Sequence, residues 1–292
     1  MATADMTGTT MASWLPEQWS ELATITYRSN TILWENDIID RRWEPELGVG
    51  RGDTVNIPGF TQNASATKRS TFGTGASITF TAVTEAQTQL VVNTMAYKAF
   101  RIPAELTVQT MPSYVALLTD GIGEAVALQA DSDVASDNSN GFDALTAVGT
   151  DNVDITEDTL FTAETNLDDN NAKAENRHLI VSPASRVSLL KIEAFRSSLY
   201  SGIGQVAADE PYGLLGKVYS YNVWVSNNLE SGTSGKKNAM VQMECIAGAM
   251  QKSITMVSDV NIEDGIFNQV AGYAVYGIKL VKSAFGREIA GK

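Results

Sequence analysis

Apolar and polar positions change period several times along the chain, and each change marks an element. Pro16 suits the first turn of a helix, and Trp19, Leu22, Ala23 and Thr26 follow at helical spacing. Ile32, Leu33, Asn36 and Ile39 fall on one side of a second amphipathic stretch, which ends at Arg41-Arg42. Thr54 to Pro58 alternates like a half-buried strand and is expected to stop at the proline. Ile78, Phe80 and Ala82 alternate with threonines, and Leu90 to Val92 and Tyr97 to Ile102 read as further strand. Between them, residues 61–77 carry Lys68 and Arg69 and almost nothing apolar except Phe72. This predicts a long hairpin with a polar tip, and such a hairpin needs a surface to lie on.

From Pro103 the period changes to three and four. Val108, Met111, Val115, Leu118, Ile122 and Val126 share one face of a long helix, which Pro112 either starts or kinks. Gly121 and Gly123 each cost about 1 kcal/mol against Ala in a helix interior, a loss that a closely packed neighbouring backbone would offset. The polar run Asp131 to Gly141 is expected to end the helix. Thr156 followed by Glu157 and Asp158 predicts an N-cap and an acidic first turn for a short helix reaching Leu167. Leu179-Ile180-Val181 reads as a buried strand closed by Ser182-Pro183. Ser185 to Ser198 reads as an amphipathic helix carrying Val187, Leu190, Ala194 and Phe195. Strands are expected at Gly216 to Ser226 and Tyr273 to Lys282, with helix from Ala239 to Met250 between them. No repeat and no linker divides the chain, which reads as one continuous α+β architecture with lobes.

Charge narrows the choice of function. The 292 residues carry a net charge of −13. Between 131 and 175, twelve acidic residues stand against one base, Lys173, so the rest of the chain is close to neutral. An acidic chain with a pI near 4.5 does not grip nucleic acid through net positive charge. Hydrophobic residues make up 43%, which supplies a substantial core and is too apolar for a disordered chain. No run of about 18 apolar residues predicts a membrane span, and Met1 to Met11 lacks the basic start of a secretory signal.

The chemistry on offer is sparse. Cys245 is the single cysteine and His178 the single histidine, which excludes internal disulfides, thiolate cages and paired-histidine metal motifs. Gly48-Val-Gly50-Arg-Gly52 precedes a strand rather than opening a helix, so it is no dinucleotide fingerprint. Ser231 to Lys237 lacks the spacing of a phosphate loop, and Arg51-Gly52-Asp53 reads as a turn before a strand. The aspartates of 131–141 lack calcium-loop spacing, since Val134 and Ala135 fall where oxygens are needed. No catalytic, cofactor-binding or metal-ligating residue is assigned. An acidic α+β enzyme using His178 or Cys245 remains the reading from another class, though neither residue has a partner in the sequence.

An aromatic arm, a polar-tipped hairpin, a long helix and an α+β lobe, in this order, resemble the major capsid protein of tailed bacteriophages, the Hong Kong 97-type fold. Glu46-Leu47 with Gly52-Asp53-Thr54-Val55-Asn56-Ile57-Pro58 resembles the start of the family's extended loop, and Ala127 to Asp131 the close of its spine helix. Leu167 to Arg177 followed by His178-Leu-Ile-Val-Ser-Pro183 is similar to its acid-asparagine turn, arginine and strand. Gly216 to Leu229 and Tyr273 to Leu280 resemble later strands. The resemblance implies an N-terminal arm at 1–47, an extended β-hairpin loop at 48–102 and a spine helix of the peripheral lobe at 103–140. The remainder of that lobe and the axial lobe would fill 141–255, with closing strands at 256–292.

By the same resemblance the chain would build pentamers and hexamers of an icosahedral head around double-stranded DNA. It would work with a separate scaffolding protein and a portal at one vertex, touch DNA only weakly, involve no membrane, and be made in the host bacterial cytoplasm before residing in the virion. A shell of the bacterial nanocompartment type is the alternative within the fold. Trp14, Trp19, Trp34 and Trp43 on the arm, with Lys68, Arg69 and Phe72 at the hairpin tip, are the candidate subunit-interface residues. The indoles bury either under this chain's own core or against a neighbour. Deleting residues 1–45 is expected to leave a folded lobe that fails to assemble.

Overall fold

The computed structural model describes residues 31–34, 36–47, 52–61, 68, 80, 84–104, 112–137, 139–196, 214–219, 221–231, 235–262 and 266–292. Trp14, Trp19, Arg69 and Phe72, and the first expected helix, lie outside these residues.

The body is built on a strand that no face leaves open. All five positions of β5 (Arg177–Val181) are buried, as the apolar run predicts. β5 lies parallel to β7 (Tyr221–Val225) and antiparallel to β8 (Lys236–Gln242). β6 (Leu214–Val218), β11 (Gly286–Gly291) and β4 (Ala147–Gly149) complete a sheet of order β4-β11-β8-β5-β7-β6. Leu160, Ala163 and Leu167 of α2 (Glu157–Asp169) join Leu179, Val181, Tyr221, Val223 and Met240 in one core. Ile180, Trp224, Ala239 and Val241 meet residues 32–39 and the end of α1 (Pro112–Ser136) in another. Thr156 caps α2 as expected, its side chain accepting from the Thr159 amide at 3.3 Å.

Four expectations give way, each for a physical reason. Ala239 to Met250 is not helical: β8, a 3-10 turn at Met243–Cys245 and the start of β9 (Ile246–Asn261) occupy it. A strand covered on both sides presents a continuous apolar run that periodicity cannot separate from a helix. The helix expected at Ser185 to Ser198 is broken into α3 (Pro183–Leu189) and α4 (Glu193–Arg196). Its inward face is mixed: Ser185 and Ser188 are buried and donate to the Lys292 carbonyl and the Asp154 carboxylate, Leu189 and Phe195 are buried in the core, and Val187 is exposed. α1 runs on through Asp131 to Ser136, because Val134 and Ala135 are buried there and Asp131 and Asp133 find tertiary partners. Residues 32–34 and 36–39 form bends and turns rather than a helix, because Asn36 and Asp37 sit at φ 64° and 57°, outside the right-handed helical region, and Asn36 is exposed.

A second sheet has the order β3-β10-β9, with β3 (Thr94–Pro103) and β9 on the two edges of β10 (Phe267–Leu280). α1 crosses it closely. A Cβ on Gly272 would stand 2.5 Å from Ile122 Cγ2, so glycine sets the distance between helix and sheet. Gly121 has open space around it, and Gly123 meets only the Met256 methyl at 3.2 Å, so no neighbouring backbone offsets the cost of either. β1 (Thr54–Thr61) and β2 (Thr84–Val91) form a two-stranded hairpin. β1 passes through Pro58, opposite Gln87, because among the described residues its other edge carries no partner strand. The hairpin's root packs Val55, Ile57, Leu90 and Val92 on Leu47, Ala247 and Ala249.

Candidate assembly surfaces

Residues 31–47 form a strap bound into the chain's own core. The Leu33 amide donates to Asp131 Oδ1 at 2.6 Å, Asn228 Nδ2 donates to Oδ2 of the same carboxylate at 2.7 Å, and burial pushes that carboxyl's pKa up. The Trp34 indole donates to the Ala130 carbonyl at 2.8 Å, and its ring meets Tyr276 edge-on at 5.5 Å. Tyr276 in turn donates to Asp133 Oδ2 at 2.6 Å. Asp40 pairs with β9 through both backbone groups: its amide donates to the Ile246 carbonyl, and its carbonyl accepts from the Gly248 amide. A 3-10 turn, Glu44–Leu47, then buries Leu47 under the hairpin root. Trp34 is therefore a core residue of this chain. Trp43 is half-buried beside the hairpin root, with the Arg42 guanidinium 5.1 Å from its ring. Deletion through residue 45 would remove Ile32, Leu33, Trp34, Ile38 and Ile39 from the core, so a dispensable arm has to end before Thr31.

The far half of the three-stranded sheet is where apolar surface remains open. Met95, Tyr97, Val257, Val260, Ile262 and Ile266 are all at least half exposed, Tyr97 at 71% and Ile262 at 74%. Cross-strand register puts Tyr97 opposite Tyr273, Met95 opposite Val275, and Ala99 and Val257 on either side of Ala271. These rows share one face, and Val257 and Ala271 also line a trough of about 380 Å³ with Ala99, Arg101, Asp259 and Gln269. The Arg101 guanidinium sits 4.5 Å from the Phe267 ring. A contiguous apolar stripe with a polar rim marks a contact surface. The sequence reading assigns β3 to the hairpin and 256–292 to closing strands, and neither assignment finds this open face. At the hairpin, Lys68 and Phe80 are exposed.

Acid between 131 and 175 is answered by bases from outside that segment. Arg177 is 2% exposed and donates to Asp168 at 2.5 Å and to the Ala172 carbonyl at 2.7 Å. Lys237 pairs with Asp143, and Lys191 and Lys292 pair with Asp154, holding that carboxyl below the usual carboxylate range. The exposed charge of the segment is thus smaller than its sequence suggests.

The two candidate nucleophile or base residues are committed elsewhere. Cys245 is 1% exposed, and burial pushes its thiol up to about 12. His178 is 3% exposed and accepts from the Trp224 indole at 3.0 Å through Nδ1. Among the described residues no group of three His, Cys, Asp or Glu side chains could hold a metal ion, and no helix is long and apolar enough to cross a membrane.

An α+β chain whose long helix crosses a three-stranded sheet, with a six-stranded sheet beside it and a hairpin rooted between, has the fold seen in bacteriophage capsids. A chain of Mycobacterium phage Che8 is 19% identical with a TM-score of 0.68, the match covering 96% of this chain and 98% of that one. A chain from the capsid of cyanophage P-SCSP1u is 14% identical at 0.68, over 98% and 95%. One from the mature capsid of bacteriophage PhiM1 is 10% identical at 0.66, over 95% and 92%. No protein-family model matches the chain, and no curated protein matches it. The resemblance read from the sequence and the fold agree.

Proposed function

We propose that the chain is the major capsid subunit of a tailed bacteriophage and assembles through pentamers and hexamers into the icosahedral head that encloses double-stranded DNA. The observation that carries this reading is the fold match to a phage-capsid chain along 98% of this chain and 95% of the other. A match over nearly the full length of both chains leaves little room for an extra domain. In this reading α1 is the spine helix, and the three-stranded sheet belongs to the peripheral lobe. The six-stranded sheet is the axial lobe, and β1–β2 is the root of the extended loop. The arm of residues 1–47, the loop of 48–102, the helical region of 103–140, the lobes of 141–255 and the closing strands of 256–292 keep their roles. Trp14, Trp19, Lys68, Arg69 and Phe72 are proposed to reach neighbouring subunits, as is the exposed flank of Trp43.

Two physical features support assembly. A projecting hairpin and a receiving surface make head-to-tail contacts, which close into rings when the rotation permits. The stripe of Met95, Tyr97 and Val257 supplies apolar area for such contacts. A separate scaffolding protein and a portal are the expected partners, with DNA touched only weakly by an acidic chain. The test is sedimentation velocity on the full chain, alone and with the scaffolding partner, across salt and concentration. Rings and shells are the expected result. A strictly monomeric protein under all these conditions overturns the reading.

A further inference from the structure

His178 is the one histidine of the chain, and it stands where the strap meets the six-stranded sheet. Its Nδ1 is occupied as an acceptor by the Trp224 indole, so the ring proton is on Nε2. Nε2 is buried and makes no hydrogen bond of good geometry, the polar group that the strap offers the ring being the Asp37 backbone, so this donor is poorly satisfied inside the core. The strap stretch against the ring is itself strained. Asn36 and Asp37 are consecutive non-glycine residues at φ 64° and 57°, the left-handed region that costs roughly 1 kcal/mol or more per residue. The strained bend thus meets the ring through Asp37, while the Trp224 hydrogen bond fixes the ring to the sheet.

We propose that His178 and Trp224 form an acid-released latch, which holds the Asn36–Asp40 bend of the strap on the sheet when the ring is neutral and lets it open when the ring takes a proton. A protonated imidazole donates from both nitrogens, so Nδ1 would point a donor at the indole donor, and the bond is lost. A charged ring also needs water, which reaches it only if the bend lifts. Asp37 is the carboxylate that faces the ring, from the strap, and it favours the charged form. The flanking strands pair His178 with Asn222 of β7 and Val241 of β8, neither of which ionises. Burial outweighs Asp37 and lowers the ring from 6.5 to about 4. A base with a lowered pKa in the closed state loses closure as pH falls. Opening is independent of pH above 6.5, grows about tenfold per pH unit below it, and levels off near pH 4. Asp131, at the strap's other anchor, runs the opposite way, because burial raises its pKa and protonation there favours the closed state.

Amides that report the opening are at hand, since Asp40 donates to Ile246 and Gly248 donates to Asp40. Hydrogen exchange on the full chain, corrected for the intrinsic pH dependence, should show about 15-fold faster exchange at Asp40 and Gly248 at pH 5 than at pH 6.5, with β5 and β8 unchanged. In His178→Gln the side-chain oxygen can still accept from Trp224 but cannot ionise, and the acceleration should vanish. An equal acceleration in the variant, or none in the wild type, overturns the latch. Should the variant not fold, the wild-type ring decides the matter by NMR, since a single histidine gives unambiguous signals. Titration near pH 4 in step with strap exchange supports the latch, and titration near 6.5 with the strap still protected refutes it.

Discussion

β5 and the far half of β9 are both apolar strands, and the chain treats them oppositely. Every position of β5 is buried, with α2 on one side and the strap and α1 on the other. In β9, positions beyond Lys252 are mostly exposed, and the apolar side chains Ile254, Met256, Val257 and Val260 face water. Exposed surface of this kind costs the isolated subunit about 25 cal/mol per Å² that burial would return. The centre of one sheet is covered on both faces, whereas the other sheet leaves apolar side chains exposed.

The sharpest way to break this contrast is to mutate both sides. Ile180→Ala or Leu33→Ala empties a fully buried site and should cost about 2–5 kcal/mol, read by denaturant unfolding of the isolated subunit. Tyr97→Ser with Val257→Ser should change subunit stability by about 0.5 kcal/mol or less each, yet prevent shell formation seen by light scattering. Destabilisation as large as that of Ile180→Ala would show that the outer face is already covered in the subunit. Truncation sharpens the boundary on the other side: a chain lacking residues 1–30 should fold, whereas one lacking 1–45 should not, as circular dichroism melts would tell.

Smaller effects follow at the seams between the regions. A Cβ on Gly277 of β10 would stand 2.2 Å from the Val91 carbonyl, backbone against backbone. Gly277→Ala should therefore cost about 1–3 kcal/mol in subunit stability and loosen the hairpin root, visible as faster exchange in β2. Glu244 accepts from Lys173 at 2.8 Å and Lys282 at 2.6 Å, which hold it down to about 2. Its lowered pKa gives stability that is complete above pH 4.5 and lost as pH falls from 4.5 to about 2. Both lysines are exposed, so screening limits the effect to about 1 kcal/mol, measured as the difference between wild type and Glu244→Gln across that window. Smallest is the salt effect. Raising salt from low to moderate should speed assembly only modestly, because Arg177, Lys191, Lys237 and Lys292 already offset part of the acidic segment's charge. A rate that changes by orders of magnitude would mean the acidic surfaces meet face to face.

Local chemistry made much of the fold legible. Thr156 and its acids announced α2, Ser182-Pro183 closed β5, and Pro112 began α1. What stayed hidden depends on tertiary partners. Asp131 reads as a helix stop, yet it lies inside α1 because Leu33 and Asn228 occupy its oxygens from about a hundred residues away. Ala239 to Met250 reads as helix because β8, covered by α2 on one face and by the strap and α1 on the other, and the start of β9 are largely apolar without strand alternation. The assembly surface was half legible. Trp34 stands out as an indole but serves the core, whereas Tyr97 reads only as strand, since an exposed apolar residue in a strand looks like a buried one until the neighbours are placed.

The most direct measurement is hydroxyl-radical footprinting of Met95, Tyr97 and Met256 in the free subunit and in assembled particles isolated from the same preparation. These side chains are 56%, 71% and 39% exposed in the single chain and react readily. A shell subunit whose three-stranded sheet is completed by its neighbours predicts strong labelling in the free form and clear protection in the particle. Buried controls such as Met240 should remain unlabelled in both. Equal labelling of all three exposed residues in particles and free subunits would contradict it.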